Sequence, residues 1–244
     1  MSDSPIKVAM VTGHHPYDVV NFQLMLRSFP DIDFYPQHLE DFAQDIQWAP
    51  RDWASPQYDV MAQYDVIAFY NYQQSIPSAT GDQFSEEIRV EWERVDVKGP
   101  LEALGETGQG ILMLHHALAA FPTWQYWLDI CGMGDTTKAY QPGAESRTDQ
   151  KLLIEVVDPH HPITRGMESW EMIDETYNLP DTGEGSEVLL RTDHPQSMST
   201  IAWTRKHKDA RVFCLQSGHD NQTLSNPNFR KILGRGIHWL AGRI

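Results

Sequence analysis

GILMLHHALAA, residues 110–120, is the stretch whose reading decides the fold. Gly110 to Leu114 is a run too short for a helix, and it ends in paired histidines. Ala117 to Ile130 then resumes with helical apolar spacing. A short strand apolar on both faces, followed at once by a helix, is the βα unit of a parallel sheet. The pattern recurs upstream. Ile6 to Thr12 (IKVAMVT) is a continuous apolar run ending at Gly13, and Val19 to Phe29 reads as a helix. Further strands are predicted at Asp31 to Tyr35 and Asp65 to Tyr70, with helices over 82–95 and 101–108. Gln37 to Gln57, rich in Pro, Trp and Asp, reads as a loop.

The second half is patterned differently. Lys151 to Val157, Glu187 to Arg191, Thr200 to Thr204 and Arg211 to Leu215 read as strands, the last two joined across KHKD as an antiparallel hairpin. Asn226 is placed to cap a final helix with Pro227 in its first turn. The expectation is one α/β domain over 1–244: a parallel sheet with flanking helices and an antiparallel extension.

Composition narrows the function. The chain has 244 residues, 41% hydrophobic, enough for a sizeable core. Its net charge of −15 would repel phosphate backbones and anionic lipids, so neither nucleic acid nor membrane is an expected partner. A small neutral molecule is. No apolar run is long enough to span a bilayer. The two cysteines, Cys131 and Cys214, form no CxxC, which points to a reducing cytoplasm. Eight tryptophans leave room for a homo-oligomeric interface.

In open parallel sheets, ligands bind beyond the carboxyl ends of the strands. Here those ends carry polar clusters: His14, His15 and Tyr17; Asn71, Tyr72 and Gln73; His115 and His116; Ser217, His219 and Asp220. They predict one shared crevice. His115 and His116 stand at a strand-to-helix turn, where helix N–H groups suit an oxyanion, but no Ser or Cys occupies the nucleophile position of a G-x-S-x-G elbow. His219 suits a divalent metal, with Asp220 to orient it or co-ligate; a turn-capping role for Asp220 is the plain alternative. Glu175, within Asp174-Glu175-Thr176-Tyr177, is a carboxylate for a metal or a general base, or a residue of a solvated strand face.

Taken together, V-T-G-H-H (11–15), G-x-L-x-L-H-H-A (110–117), H-P-I-T-x-G (161–166), D-E-T-Y (174–177), S-G-H-D (217–220) and N-F-R-K-I-L-x-x-G-I-H-W-L-A-G-R (228–243) resemble the trehalose-utilisation (ThuA-like) family over nearly the whole chain. The resemblance implies a flavodoxin-like, class I glutamine-amidotransferase-like fold without the amidotransferase cysteine, hence no glutaminase activity. It implies a sugar-metabolism protein associated with 3-keto-glycosides, and a divalent metal, Zn or Mn, near His115 and His219. No nucleotide cofactor is expected.

The favoured reading is therefore an enzyme that abstracts the acidified proton of a (3-keto-)glycoside, leading to elimination, hydrolysis or isomerisation. His115 or His116, with His219, would serve the metal or the enolate oxygen. Glu175 would be base or third ligand, and Asp220 would orient His219. His14, His15, Tyr17, Asn71, Tyr72 and Gln73 would bind the sugar, and Trp124 or Trp48 could stack on it. The alternatives are a non-catalytic carbohydrate- or partner-binding protein, and a hydrolase using Ser217 or Cys214 as nucleophile.

Overall fold

The structure, a computed structural model, describes residues 4–48, 61–73, 97–134, 136 and 146–244. Its strands are β1 (Ile6–Gly13), β2 (Ile32–His38), β3 (Val66–Asn71), β4 (Gly110–Leu114), β5 (Arg147–Val156), β6 (Trp170–Thr176), β7 (Ser186–Arg191), β8 (Thr200–His207) and β9 (Ala210–Leu215). The helices are α1 (Val19–Leu26), α2 (Leu39–Trp48), α3 (Lys98–Leu101), α4 (Gln125–Cys131), α5 (Asn221–Leu224) and α6 (Pro227–Leu240). All nine strands belong to one mixed sheet ordered β2-β1-β3-β4-β9-β8-β7-β5-β6. β2, β1, β3, β4 and β9 run parallel. β9, β8, β7, β5 and β6 are joined antiparallel.

Strand periodicity explains the layers. In β3, Val66, Ala68 and Tyr70 face one apolar cluster while Ile67 and Phe69 face the other. The first cluster takes Phe22 and Met25 of α1 and Phe229, Ile232 and Ile237 of α6. The second takes Phe42 of α2, Leu101 of α3 and Trp127 of α4. A strand buried on both faces reads as a continuous apolar run, which is why β1, β3 and β4 were legible. α6 begins as expected: the Asn226 side chain accepts from the backbone N–H of Asn228 and Phe229, at 2.9 and 3.2 Å. It packs so closely that a Cβ on Gly236 would lie 2.4 Å from the Phe213 ring.

Several expectations are corrected. Leu39 to Trp48, expected as loop, is the helix α2, since Leu39, Phe42, Ala43 and Ile46 fall on one helical face. The predicted helix from Ala117 to Ile130 divides into a 3₁₀ turn (His115–Ala119) and α4, because Pro122 follows Phe121, whose φ is +47°. The short helix lies at Lys98–Leu101 rather than 101–108. The solvated strand face offered for Glu175 is instead the strand β6 with Asp174 and Glu175 buried; it pairs antiparallel with β5 from Ile154↔Trp170 to Arg147↔Thr176. The predicted helix over 82–95 lies outside the described residues. Among the described residues, no helix is long and apolar enough to cross a membrane.

Candidate functional site

The site forms where β4, β9 and β6 end together. Leu114 of β4 pairs with Leu215 of β9, so His115 and Gln216 leave the sheet side by side. The backbone of His115 turns sharply, with φ +55°. That is a costly conformation for a residue with a Cβ, held here by the surrounding contacts. Gly218 is required opposite: a Cβ there would lie 3.2 Å from the His115 Cβ, and its own φ is +143°. β6 contributes Asp174 and Glu175, and Tyr177 follows it.

Glu175 Oε2 is the hub. It lies 2.9 Å from His219 Nδ1 and 3.2 Å from His115 Nε2, and accepts a hydrogen bond from the Tyr177 hydroxyl at 3.0 Å. Tyr177 Oη is also 3.2 Å from His115 Nε2. Burial alone would push the Glu175 carboxyl up, but the bonds from His115 and His219 outweigh it and hold the group well below the usual carboxylate range. Its bond to Glu175 pushes His219 up. Burial pushes the Tyr177 hydroxyl well up, and its bond to Glu175 adds to this.

His115 is locked in one orientation. Its Nδ1 sits 2.8 Å from the Gln216 carbonyl, which can only accept, so Nδ1 carries the proton. Nε2 faces Glu175 Oε2: with a proton it donates to that oxygen, and without one it offers its lone pair to a cation. One ligand atom each from His115, Glu175 and His219 lie within 4.8 Å of one another, and they form a group able to hold a metal ion. Two imidazoles and a carboxylate, with a backbone carbonyl fixing one imidazole, are a donor set that fits Zn, Mn or Fe.

Asp174 sets the loop that carries His219. Its fully buried carboxylate accepts from the backbone N–H of Glu175 at 2.9 Å, Gly218 at 3.1 Å and His219 at 3.1 Å. Gln216 Nε2 donates to the Glu175 carbonyl at 2.8 Å, and the Tyr70 hydroxyl donates to the Gly218 carbonyl at 2.8 Å. Asp174, Tyr177, Gln216 and Tyr70 were not assigned roles from the sequence. The signal for two of them lay inside Asp174-Glu175-Thr176-Tyr177, where a strand carries an acid pair into the core.

A cavity of about 280 Å³ opens beside this cluster, lined by His15, Pro16, Tyr17, Asp18, Tyr70, His115, His116, His219 and Asp220. Of the residues expected to bind sugar, His15 and Tyr17 line it. His14 does not: its ring bonds to Glu40 at the start of α2, and the other Glu40 oxygen meets His38. Asn71 and Gln73 are buried and Tyr72 half-buried beside His15 and His116, outside that lining. His116 is buried between Tyr70, at 4.2 Å, and His15, at 4.6 Å, ring to ring, and among the described residues neither of its nitrogens has a hydrogen-bond partner. Asp220 lines the cavity but spends its carboxylate as the cap of α5, accepting from Gln222 N at 2.9 Å; the residue aligned on His219 is Glu175. Trp124 packs edge-on against Phe121 as core, and the Trp48 side chain lies outside the described residues.

Both nucleophile candidates lack what a nucleophile needs. Burial pushes the Cys214 thiol well up, and its Sγ faces the Cys131 carbonyl. The Ser217 hydroxyl is buried and has no hydrogen-bond partner among the described residues to activate it.

The chain resembles solved structures over its whole length. A ThuA-like protein from Parabacteroides merdae matches with TM-score 0.66 at 18% identity, covering 99% of this chain and 92% of that one. Another from Bacteroides uniformis matches with TM-score 0.65 at 17% identity, covering 98% and 93%. A protein from Thermoplasma acidophilum, described as part of a GMP synthase, matches with TM-score 0.53 at 10% identity, covering 98% and 95%. No curated protein matches. The family model described as trehalose utilisation matches residues 38–240, and by that match the chain belongs to the ThuA family.

Proposed function

We propose that the protein is a carbohydrate enzyme that labilises a proton beside the carbonyl of a 3-keto-glycoside or a related sugar. The observation that carries this reading is the convergence of His115 Nε2, Glu175 Oε2 and a ring nitrogen of His219 at the edge of the cavity. These three residues would hold a divalent cation, which when bound supplies charge to stabilise an enolate oxygen. Family membership supports the substrate class, because it ties the chain to trehalose utilisation.

The residues divide the work. Glu175 Oε2 is engaged by His115, His219 and Tyr177, so it serves as ligand and hub rather than base. Tyr177 and the Gln216 carbonyl orient His115, and Asp174 orients His219 through the backbone. His15 and Tyr17 face the sugar. The cavity volume suits one sugar ring with part of its aglycone. Loss of a C–H proton then leads to elimination, or by reprotonation elsewhere to isomerisation. The finer amidotransferase-like architecture belongs to the same proposal. It is supported by the positive φ of His115 at the tip of β4, where such folds place their nucleophile, and by the likeness to the Thermoplasma protein. A cytoplasmic location is supported by two free, buried cysteines.

The test is a panel of 3-keto-glucosides incubated with Zn- or Mn-supplemented protein and followed by proton NMR. Turnover that disappears in His219→Ala supports the proposal. Tight sugar binding with no product from any member of the panel contradicts it and favours a binding protein.

A further inference from the structure

The site needs a proton acceptor, and the residues already given roles leave it without one. Glu175 Oε2 is engaged by His115, His219 and Tyr177. The Tyr70 hydroxyl is donated to Gly218, and the Tyr177 hydroxyl is shared between Glu175 and His115. Both nitrogens of His116 are enclosed. Asp220 caps α5, and Asp18 caps α1 by accepting from Asn21 N at 3.1 Å.

His15 remains. It enters the cavity from the end of β1, which lies two strands from β4 in the sheet, so the two strand ends are about 10 Å apart. A substrate carbon fits between two such walls. The His15 ring is half-buried and meets Tyr72 edge-on at 5.2 Å and His116 at 4.6 Å. Its Nδ1 is enclosed and has no hydrogen-bond partner among the described residues, which leaves Nε2 as the nitrogen for the cavity.

We propose that His15 is the catalytic base of the reaction proposed above, with Nε2 taking the proton from the carbon beside the substrate carbonyl. The C–H bond breaks, its electron pair forms the enolate double bond, and the proton moves to Nε2. As the carbonyl re-forms, the double bond shifts by one carbon and the bond to the glycosidic oxygen breaks. That oxygen leaves as the alcohol, taking the proton back from His15. No oxidant or reductant enters. The electrostatics agree with the geometry. Burial lowers the His15 pKa, which favours the neutral ring that can accept a proton.

This inference rests on the proposed function, and its test separates the two. The full-length, metal-supplemented protein is incubated in D₂O with methyl 3-keto-α-D-glucoside, and exchange of the proton beside the carbonyl is followed by NMR. Exchange in His15→Ala should fall about 10²- to 10⁴-fold. Its metal content should match wild type, and added imidazole should restore the rate in proportion to imidazole concentration. His15→Gln, closer in size, should show the same loss and keeps the test decisive if the alanine variant does not fold. Exchange near the wild-type rate in either variant overturns the proposal, as does loss accompanied by loss of metal, which would make His15 structural. Wild-type protein that exchanges no proton overturns the proposed function, and this base with it.

Discussion

Among the described residues, two clusters each join two histidines to one glutamate, and the contrast between them shows what makes a site. At the end of β1, His14 and His38 approach Glu40 at different carboxylate oxygens. At the end of β4, His115 and His219 approach the same oxygen of Glu175. The first arrangement satisfies each imidazole separately and ties α2 to the sheet. The second brings both imidazoles to one carboxylate oxygen beside a cavity, with Gln216 and Tyr177 orienting His115 and Asp174 holding the His219 backbone. Residue type is the same in both; convergence and outer support differ.

Replacing the hub should have the largest effect. Glu175→Gln is expected to lower turnover about 10³-fold while leaving circular dichroism unchanged, because the charge that unites the two imidazoles is removed. Wild-type turnover in that variant would break the contrast. Asp174→Asn comes next. It should weaken metal binding about 10- to 100-fold, measured by competition with a chromophoric chelator. It should also cost about 1–3 kcal/mol of stability in urea, because a buried N–H of Gly218 or His219 loses its acceptor.

Acid should act on the metal-free protein with a definite sign. Burial lowers the pKa of His15 and, further, of His116, so the unfolded chain takes up protons there that the folded chain does not. Stability should therefore fall as pH drops below about 6.5, the unfolded value. Glu175, depressed in the fold, should add a second loss below about pH 4.3. Urea midpoints from pH 8 to pH 4 test both; a midpoint constant from pH 7 to pH 5 would contradict the first. The smallest effect is expected at the other cluster. Glu40→Gln should cost about 1 kcal/mol, the worth of a hydrogen bond, and leave metal content and turnover unchanged.

The same contrast explains what could be read in the sequence. β1, β3 and β4 were legible because a strand buried on both faces is written as an unbroken apolar run. α2 was hidden, since Pro, Trp and Asp around it mimic a loop while only Leu39, Phe42, Ala43 and Ile46 keep the helical period. β6 was hidden for the opposite reason. Its buried end carries Asp174 and Glu175, so an acidic segment looks solvated although both carboxylates are enclosed. His115, Glu175 and His219 were named as a candidate metal set from residue type and family resemblance, and the structure brings them together. That His14 belongs to a different glutamate was not readable, because adjacent histidines leave a strand end in different directions and only the fold decides where each points.

The central claim is that the second cluster, unlike the first, holds a divalent metal. Elemental analysis of untagged protein purified without chelator tests it directly. The account predicts about one divalent metal per chain, lost in His219→Ala and retained in His38→Ala. Metal-free protein, even after supplementation with Zn and Mn, would contradict it.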